Sequence, residues 1–338
     1  MEINAFHIYW KKEQSKRNFK PYFTLTTLLS ALEWKKNEKG NLTFYMDPST
    51  YEFFYDRNLL SAWDRVDKKT LEEEIDPNHF DTNTFFTIGK FIALKKEKLP
   101  CAMVDIDLIA WENIDDIIKN KKSAFTHYEK TTPESVSYPK KEDILKRKDY
   151  EFKRNWDFTS NALNTSFMYF NDKETRDYYV EEAMDYMKDN FTNRKKISSN
   201  PEVLFVEQRL LAMCYKDLEI EEEVTPIVDI EWDSYKGEFT KGNRIWKFFE
   251  LDNNDLITHT WIAKEQIDKN KLYEDYMTIR LIEKIKEFDK DYYEVLESIE
   301  EIKPYIQLLE KYQSTKNLIK KGIVTDDLYG NKILKKKR

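Results

Sequence analysis

Uninterrupted, alternating and helix-spaced apolar runs follow one another along this chain, and each predicts an element. The run "INAFHIYW" (3–10) is dense in aromatic and β-branched residues and reads as a strand. Residues 21–40, "PYFTLTTLLSALEWKKNEKG", open on Pro21 and close on lysines and Gly40, as a helix and its stop do. "NLTFYMD" (41–47) is then a second strand. Strand, helix, strand at these spacings is a βαβ unit, which implies a parallel sheet with its ligand site at the C-terminal ends of the strands.

Further on, "YEFFYDRNLLSAWDRV" (51–66) predicts a helix, and 83–100 predicts another that carries Gly89-Lys90 and is stopped by Pro100. "CAMVDIDLIAW" (101–111) follows as a strand. Its wholly apolar start, Cys101 to Val104, suits a central parallel strand covered on both faces. Residues 129–155 are polar, contain two prolines and lack apolar periodicity, so they predict a long surface loop or flap. Beyond it lie a β-rich stretch (162–172), a helix with Asp172 as its N-cap, and a second helix over 201–217. "THTWIAK" (258–264) sits between a short β-rich region and the tail. From Leu272 the pattern is helical, with Ile282, Ile285, Phe288, Tyr292, Leu296, Ile299 and Ile302 forming a stripe up to Pro304. The fold class predicted is α/β: a mostly parallel central sheet with helices on both faces, plus a C-terminal helical extension.

Composition narrows the functional classes. With 338 residues, 40% hydrophobic, 35% charged and 15% aromatic, the chain has material for one large α/β domain with an appendage. Its formal net charge of −7 makes nucleic acid an unlikely general partner, although the KKKR end is a local basic patch. No signal-peptide layout opens the sequence and no apolar run approaches the roughly 20 residues of a membrane span. A cytoplasmic protein is therefore expected, with Cys101 and Cys214 as buried free thiols and the sequons at Asn41, Asn164 and Asn190 without consequence.

Asp105 and Asp107 carry the chemistry. In an extended chain, residues two apart share a face, roughly 6 to 7 Å apart at Cα, close enough to share one divalent cation, while Ile106 faces the core. Hard oxygen ligands of this kind hold Mn²⁺ or Mg²⁺ against a diphosphate. The structural alternative is that one aspartate caps the following helix and the other meets a lysine.

The order "FFTIGKFIALKKEKLPCAMVDIDLIAW", "NALNTSFMYFNDKETRDYYVEEAMDYM", "EQRLLAMC", "HTWIAK" resembles the GT-A nucleotide-sugar glycosyltransferases, with features of the glycogenin-like branch and of poorly characterised bacterial GT-A-like proteins. The resemblance covers about residues 3–265. It implies a D-x-D at Asp105 and Asp107, with His259 joining them on the metal. It also implies Lys90, Asp105, Lys264 and Gln208 toward the nucleotide-sugar donor and its diphosphate, and Glu207 and Asn164 toward the reacting sugar or its acceptor. Ser166 stands where that family tends to have glycine, and "THTWIAK" lacks the glycine of a His-Gly-Lys motif.

The expected organisation is a nucleotide-sugar-binding domain over 1–265 and a helical extension with a basic tail over 266–338. The activity implied is metal-dependent transfer of a sugar from a nucleotide diphosphate sugar to an acceptor the sequence does not name. The alternative is a catalytically degenerate GT-A-like protein docking to a partner, or to itself, through residues 272–312.

Overall fold

A computed structural model describes residues 2–10, 19–37, 40–132, 134–135, 137–191, 201–233, 235–241, 251, 256–260, 264, 267 and 269–326. The KKKR patch and the middle of "THTWIAK", residues 261–263, lie outside the described residues.

Thirteen strands are described: β1 (Asn4–Tyr9), β2 (Leu42–Met46), β3 (Arg65–Asp67), β4 (Cys101–Val104), β5 (Leu108–Ala110), β6 (Ser123–Phe125), β7 (Tyr128–Lys130), β8 (Ala162–Leu163), β9 (Phe167–Phe170), β10 (Val224–Pro226), β11 (Glu231–Asp233), β12 (Glu238–Lys241) and β13 (Ile257–His259). Seven of them form the central sheet in the order β10-β6-β9-β4-β1-β2-β3. Every pairing in that sheet is parallel except those of β9, which runs antiparallel to both β4 and β6. The mostly parallel α/β class expected from the βαβ order is thus the one observed. A four-stranded sheet, β12-β11-β7-β8, and the ribbon β13-β5 complete the described strands.

The β1-to-β2 crossover is the helix Pro21–Asn37, buried on most of its surface from Thr24 to Trp34. One side faces the sheet and another meets the helix Lys271–Phe288 of the C-terminal extension. The tail's apolar stripe is used up here: Ile282, Ile285, Leu296, Ile299 and Ile302 are buried in one cluster with Leu28, Leu32 and Phe44. A stripe of this kind must be covered by something, and this chain covers it.

Three local expectations need correcting. The helix predicted over 51–66 ends at Tyr55, having started at Pro48 under an Asp47 cap; a short 3₁₀ turn at Leu60–Ala62 and the edge strand β3 take the rest. Asn58 adopts a left-handed φ of 56°, which breaks helical continuation. Residues 129–155 are not a purely solvated flap, because Tyr138, Ile144, Tyr150 and Phe152 are buried against the helices that follow. Sparse aromatics anchor that segment without any period that sequence inspection would detect. Helix 201–217 contains a π-helical turn at Phe205–Arg209, the one place where its register changes.

Candidate functional site

The aspartates do not lie on one extended strand. Asp105 follows β4 directly, the chain turns through Ile106, and Asp107 leads into β5; the Leu108 N–H donates to the Asp105 carbonyl at 2.9 Å and closes the turn. Asp105 is tied back to the sheet by its own N–H, which donates to the Ser166 carbonyl at 2.7 Å. Ile106 is buried in the core, but from a turn and not through strand alternation. The D-x-D thus sits at the C-terminal edge of a central strand, where parallel sheets gather ligand chemistry.

The antiparallel ribbon brings in the distant histidine. His259 pairs with Leu108, and the Thr260 N–H donates to the Asp107 carbonyl at 3.0 Å. The His259 Nε2 lies 3.7 Å from Asp107 Oδ2, across 152 positions of sequence, and both residues are 4% exposed. One donor atom from each of Asp105, Asp107 and His259 falls within 4.8 Å of the other two. Donors about 2.1 to 2.2 Å from a common cation lie about 3 to 4.4 Å apart, so two carboxylates and an imidazole at this spacing fit a Mn²⁺- or Mg²⁺-sized ion with little adjustment.

Two lysines flank the group. Lys90 belongs to the first turn of the helix Ile88–Lys96, where the helix dipole disfavours a cation. It is held by carboxylates instead, 2.8 Å from Asp105 Oδ1 and 2.7 Å from Glu207 Oε1. Gly89 lets that helix come close to β1: a Cβ there would lie 2.6 Å from Ile8 Cδ1. Lys264 reaches Asp107 Oδ2 at 2.7 Å from a more exposed position. Among the described residues, neither Asp107 Oδ2 nor Glu207 Oε1 has a partner with aligned hydrogen-bond geometry, so these are contacts of charge more than of direction.

Burial and charge set the protonation states. Burial pushes the Asp105 carboxyl up to about 6, with Lys90 opposing and Asp107 and Glu207 adding to the rise. Burial works the same way on Asp107, but the Lys264 ammonium and His259 outweigh it and hold that carboxyl below the usual range. For Lys90, burial is outweighed by Asp105 and Glu207, which raise it above an ordinary lysine. Burial lowers His259 to about 3 and keeps the imidazole neutral, the form that ligates. With the acids ionised, three carboxylates then face two ammonium groups around a neutral ring. The excess is one negative charge.

Glu207 and Gln208 ride on the π-helical turn, a feature that often marks functional positions because it re-aims side chains. Glu207 points at Lys90, whereas the Gln208 Oε1 accepts from the Tyr138 hydroxyl. Asn164 faces a second, buried network. Its Nδ2 donates to Glu129 Oε1 at 2.9 Å, and its Oδ1 accepts from the Ser166 N–H at 3.1 Å and the Ser166 hydroxyl at 2.7 Å. Ser166, at the glycine position of the resembled family, is therefore a working member of that network, and its hydroxyl also meets Thr126 at 2.7 Å.

Inspection of the sequence missed His127 and Glu129. His127 lies in a polar stretch of sequence, but it is fully buried, with Nε2 3.2 Å from Glu129 Oε1 and close enough to His259 to influence it electrostatically. The signal was available: His-x-Glu at the edge of β7 has the same two-residue spacing that drew attention to Asp-x-Asp. His7 is packed in β1 and His79 is exposed beside Asp189. Cys101 and Cys214 are buried free thiols.

No protein-family model matches the sequence, and neither does any curated protein. Among solved structures the chain is similar to mouse xyloside xylosyltransferase 1 in its apo form, at 12% identity over 68% of this chain and 86% of that one, TM-score 0.34. It is also similar to the galactosyltransferase LgtC in complex with donor and acceptor sugar analogues, at 9% identity over 66% and 73%, TM-score 0.37. A third similar structure is the 4-diphosphocytidyl-2C-methyl-D-erythritol synthase of Anaerococcus prevotii, at 12% identity over 70% and 90%, TM-score 0.33. Glycosyltransferases, the class that the sequence motifs resemble, are thus among the structures this chain is similar to. Among the described residues, no helix is long and apolar enough to cross a membrane.

Proposed function

We propose that the chain is a metal-dependent glycosyltransferase acting on a nucleotide diphosphate sugar. The observation that carries the reading is the Asp105, Asp107 and His259 cluster at the end of a central strand, with its donors within 4.8 Å of one another and lysines on two sides. In this reading Asp105, Asp107 and His259 hold Mn²⁺ or Mg²⁺, which neutralises a diphosphate leaving group when bound. Lys264 and Lys90 add fixed positive charge where the diphosphate departs, which is electrostatic stabilisation of developing charge. For Lys264 this requires release from Asp107, so donor binding and cation binding are coupled through one carboxylate. Glu207 and Gln208 present polar groups to the reaction side from a turn held by Tyr179, whose hydroxyl donates to the Glu207 carbonyl at 2.9 Å. Asn164 positions: it fixes Ser166, whose carbonyl takes the Asp105 N–H.

The degenerate docking alternative has less apolar surface to draw on, since Ile282, Ile285, Leu296, Ile299 and Ile302 of the tail are buried within the chain. The test is thermal stability with UDP or GDP, each with and without Mn²⁺. A ligand at 100 times its dissociation constant adds about 2.7 kcal/mol. Stabilisation that requires both nucleotide and metal is expected; no shift with either nucleotide in the presence of Mn²⁺ or Mg²⁺ removes the reading.

A further inference from the structure

Glu129 holds no ion-pair contact with Asp105 or Asp107, and yet it connects to the cation centre by two routes. It lies on β7 and is 4% exposed, and the chemistry of sugar transfer gives it no task. Asn164 Nδ2 donates to its Oε1 at 2.9 Å, and His127 Nε2 stands 3.2 Å from the same oxygen. The Tyr138 hydroxyl is also within hydrogen-bond reach of the carboxylate. A buried carboxylate is costly without such donors. It imposes a condition on them in return, because a carboxylate only accepts. The Asn164 amide, which could face either way, must turn Nδ2 toward Glu129 and Oδ1 toward Ser166, and the His127 ring must carry a proton on Nε2.

The first route ends on Asp105. With the amide so turned, Asn164 Oδ1 accepts from both the N–H and the hydroxyl of Ser166, at 3.1 and 2.7 Å. That fixes the backbone whose carbonyl takes the Asp105 N–H at 2.7 Å, the bond tying the D-x-D turn to the sheet. The second route ends on His259, on which His127 acts electrostatically; the nitrogen that bears the His127 proton decides the sign of the field sent there. Backbone pairing alone does not settle either polarity. The Asn164 N–H donates to the His127 carbonyl at 2.8 Å and the Thr126 N–H to the Asn164 carbonyl at 2.9 Å, which places the two side chains together whichever way each is turned. Glu129 makes the choice for both.

We propose that Glu129 is a positioning residue for the cation centre: its carboxylate orients Asn164 and His127, and through them Asp105 and His259 are held ready for the ion. This rests on the metal centre of the glycosyl-transfer reading and not on sugar transfer itself. Partners behind metal ligands change metal affinity by about 10- to 100-fold when removed. The test is Mn²⁺ affinity without nucleotide, read from the paramagnetic resonance signal of free Mn²⁺, on folded chains. Glu129→Leu keeps the bulk but removes the acceptor and should weaken Mn²⁺ roughly tenfold. Glu129→Gln, which keeps one acceptor oxygen, should stay within about threefold of the parent. Ser123→Ala, which removes a buried hydroxyl bonded to Tyr215 and to the Tyr169 carbonyl, should lower the melting temperature and leave Mn²⁺ affinity unchanged. If Glu129→Leu does not fold, Asn164→Ala cuts the first route one residue later and carries the same tenfold expectation. Parental affinity in Glu129→Leu with only its melting temperature lowered overturns the proposal. An equal loss in Glu129→Gln assigns the effect to charge, and an equal loss in Ser123→Ala to general loosening; either overturns it, as does a parent chain that binds no Mn²⁺. The graded loss with no UDP response in the parent chain removes the transferase reading and leaves the role of Glu129 standing.

Discussion

Two buried polar regions meet at residues 107 and 108, and they are built on opposite principles. Around His7 every bond closes. The Trp63 indole N–H donates to His7 Nδ1 at 3.2 Å, which leaves the proton on Nε2 to donate to the Ser30 hydroxyl at 3.3 Å, and that hydroxyl donates to the Leu108 carbonyl. This relay is neutral, buried and flanked by the Phe44 and Trp63 rings. One residue earlier, Asp107 sits among short charge contacts that lack aligned bonds and leave a net negative charge. Both histidines are lowered to about 3 by burial, so the titration of the rings does not tell the regions apart. What differs is whether folding has already satisfied the neighbours. A closed network rigidifies the turn, while an open, charged one keeps capacity for a ligand.

The largest expected effect tests the closed side. His7→Ala should destabilise the chain by about 3 kcal/mol, by leaving a cavity and an unpaired indole and hydroxyl, as read by chemical denaturation. A loss below about 1 kcal/mol would mean the relay is incidental. Next comes the open side, where Asp107→Asn should lower the ligand-free melting temperature modestly, because it removes the charge that Lys264 and His259 hold ionised. The same change should remove up to about 2.7 kcal/mol of stabilisation by UDP with Mn²⁺. A drop in ligand-free stability with the UDP and Mn²⁺ response intact would place Asp107 with His7 as architecture.

The third effect is a pH slope. His7 has a folded pKa of about 3 against 6.5 ordinarily, so the unfolded chain binds the extra proton between those values, and stability present above pH 6.5 is lost as pH falls toward 3. His259 contributes in the same sense and Asp105, raised to about 6, in the opposite one, so the parent profile is a composite. The difference between the parent and His7→Gln isolates one proton: about 1.4 kcal/mol per pH unit over that window. Parallel profiles would show that His7 titrates normally. The smallest effect joins the two regions. Ser30→Ala should cost about 1 kcal/mol of stability and loosen the Leu108 carbonyl, with a severalfold weaker UDP and Mn²⁺ response; full stability loss with an unchanged response would uncouple them.

Much of the fold was legible because it depends on local pattern. Pro21 and the lysines before Gly40 bounded the first helix, Asp172 capped its helix by accepting from the Thr175 N–H at 2.8 Å, and the apolar Cys101–Val104 run became the sheet's middle strand. Where aromatics act singly, as Tyr138 and Phe152 do in 129–155, no period existed to read. The site was half legible. Asp-x-Asp stood out because acids interrupt an apolar run, whereas His127 and Glu129 sat in a polar stretch whose burial comes from β11 and β8 pairing on either side of β7.

By itself, then, the sequence determined the βαβ start, the amphipathic tail and the place of the two aspartates at a strand end, since these follow from side-chain period and backbone propensity within short windows. Only the tertiary structure decided that Lys90 meets Glu207, that His259 stands beside Asp107, and that the tail stripe is spent on the chain's own core. Each of these joins residues far apart in the chain, and the free energy that joins them comes from burying the surfaces between them, which no local window contains.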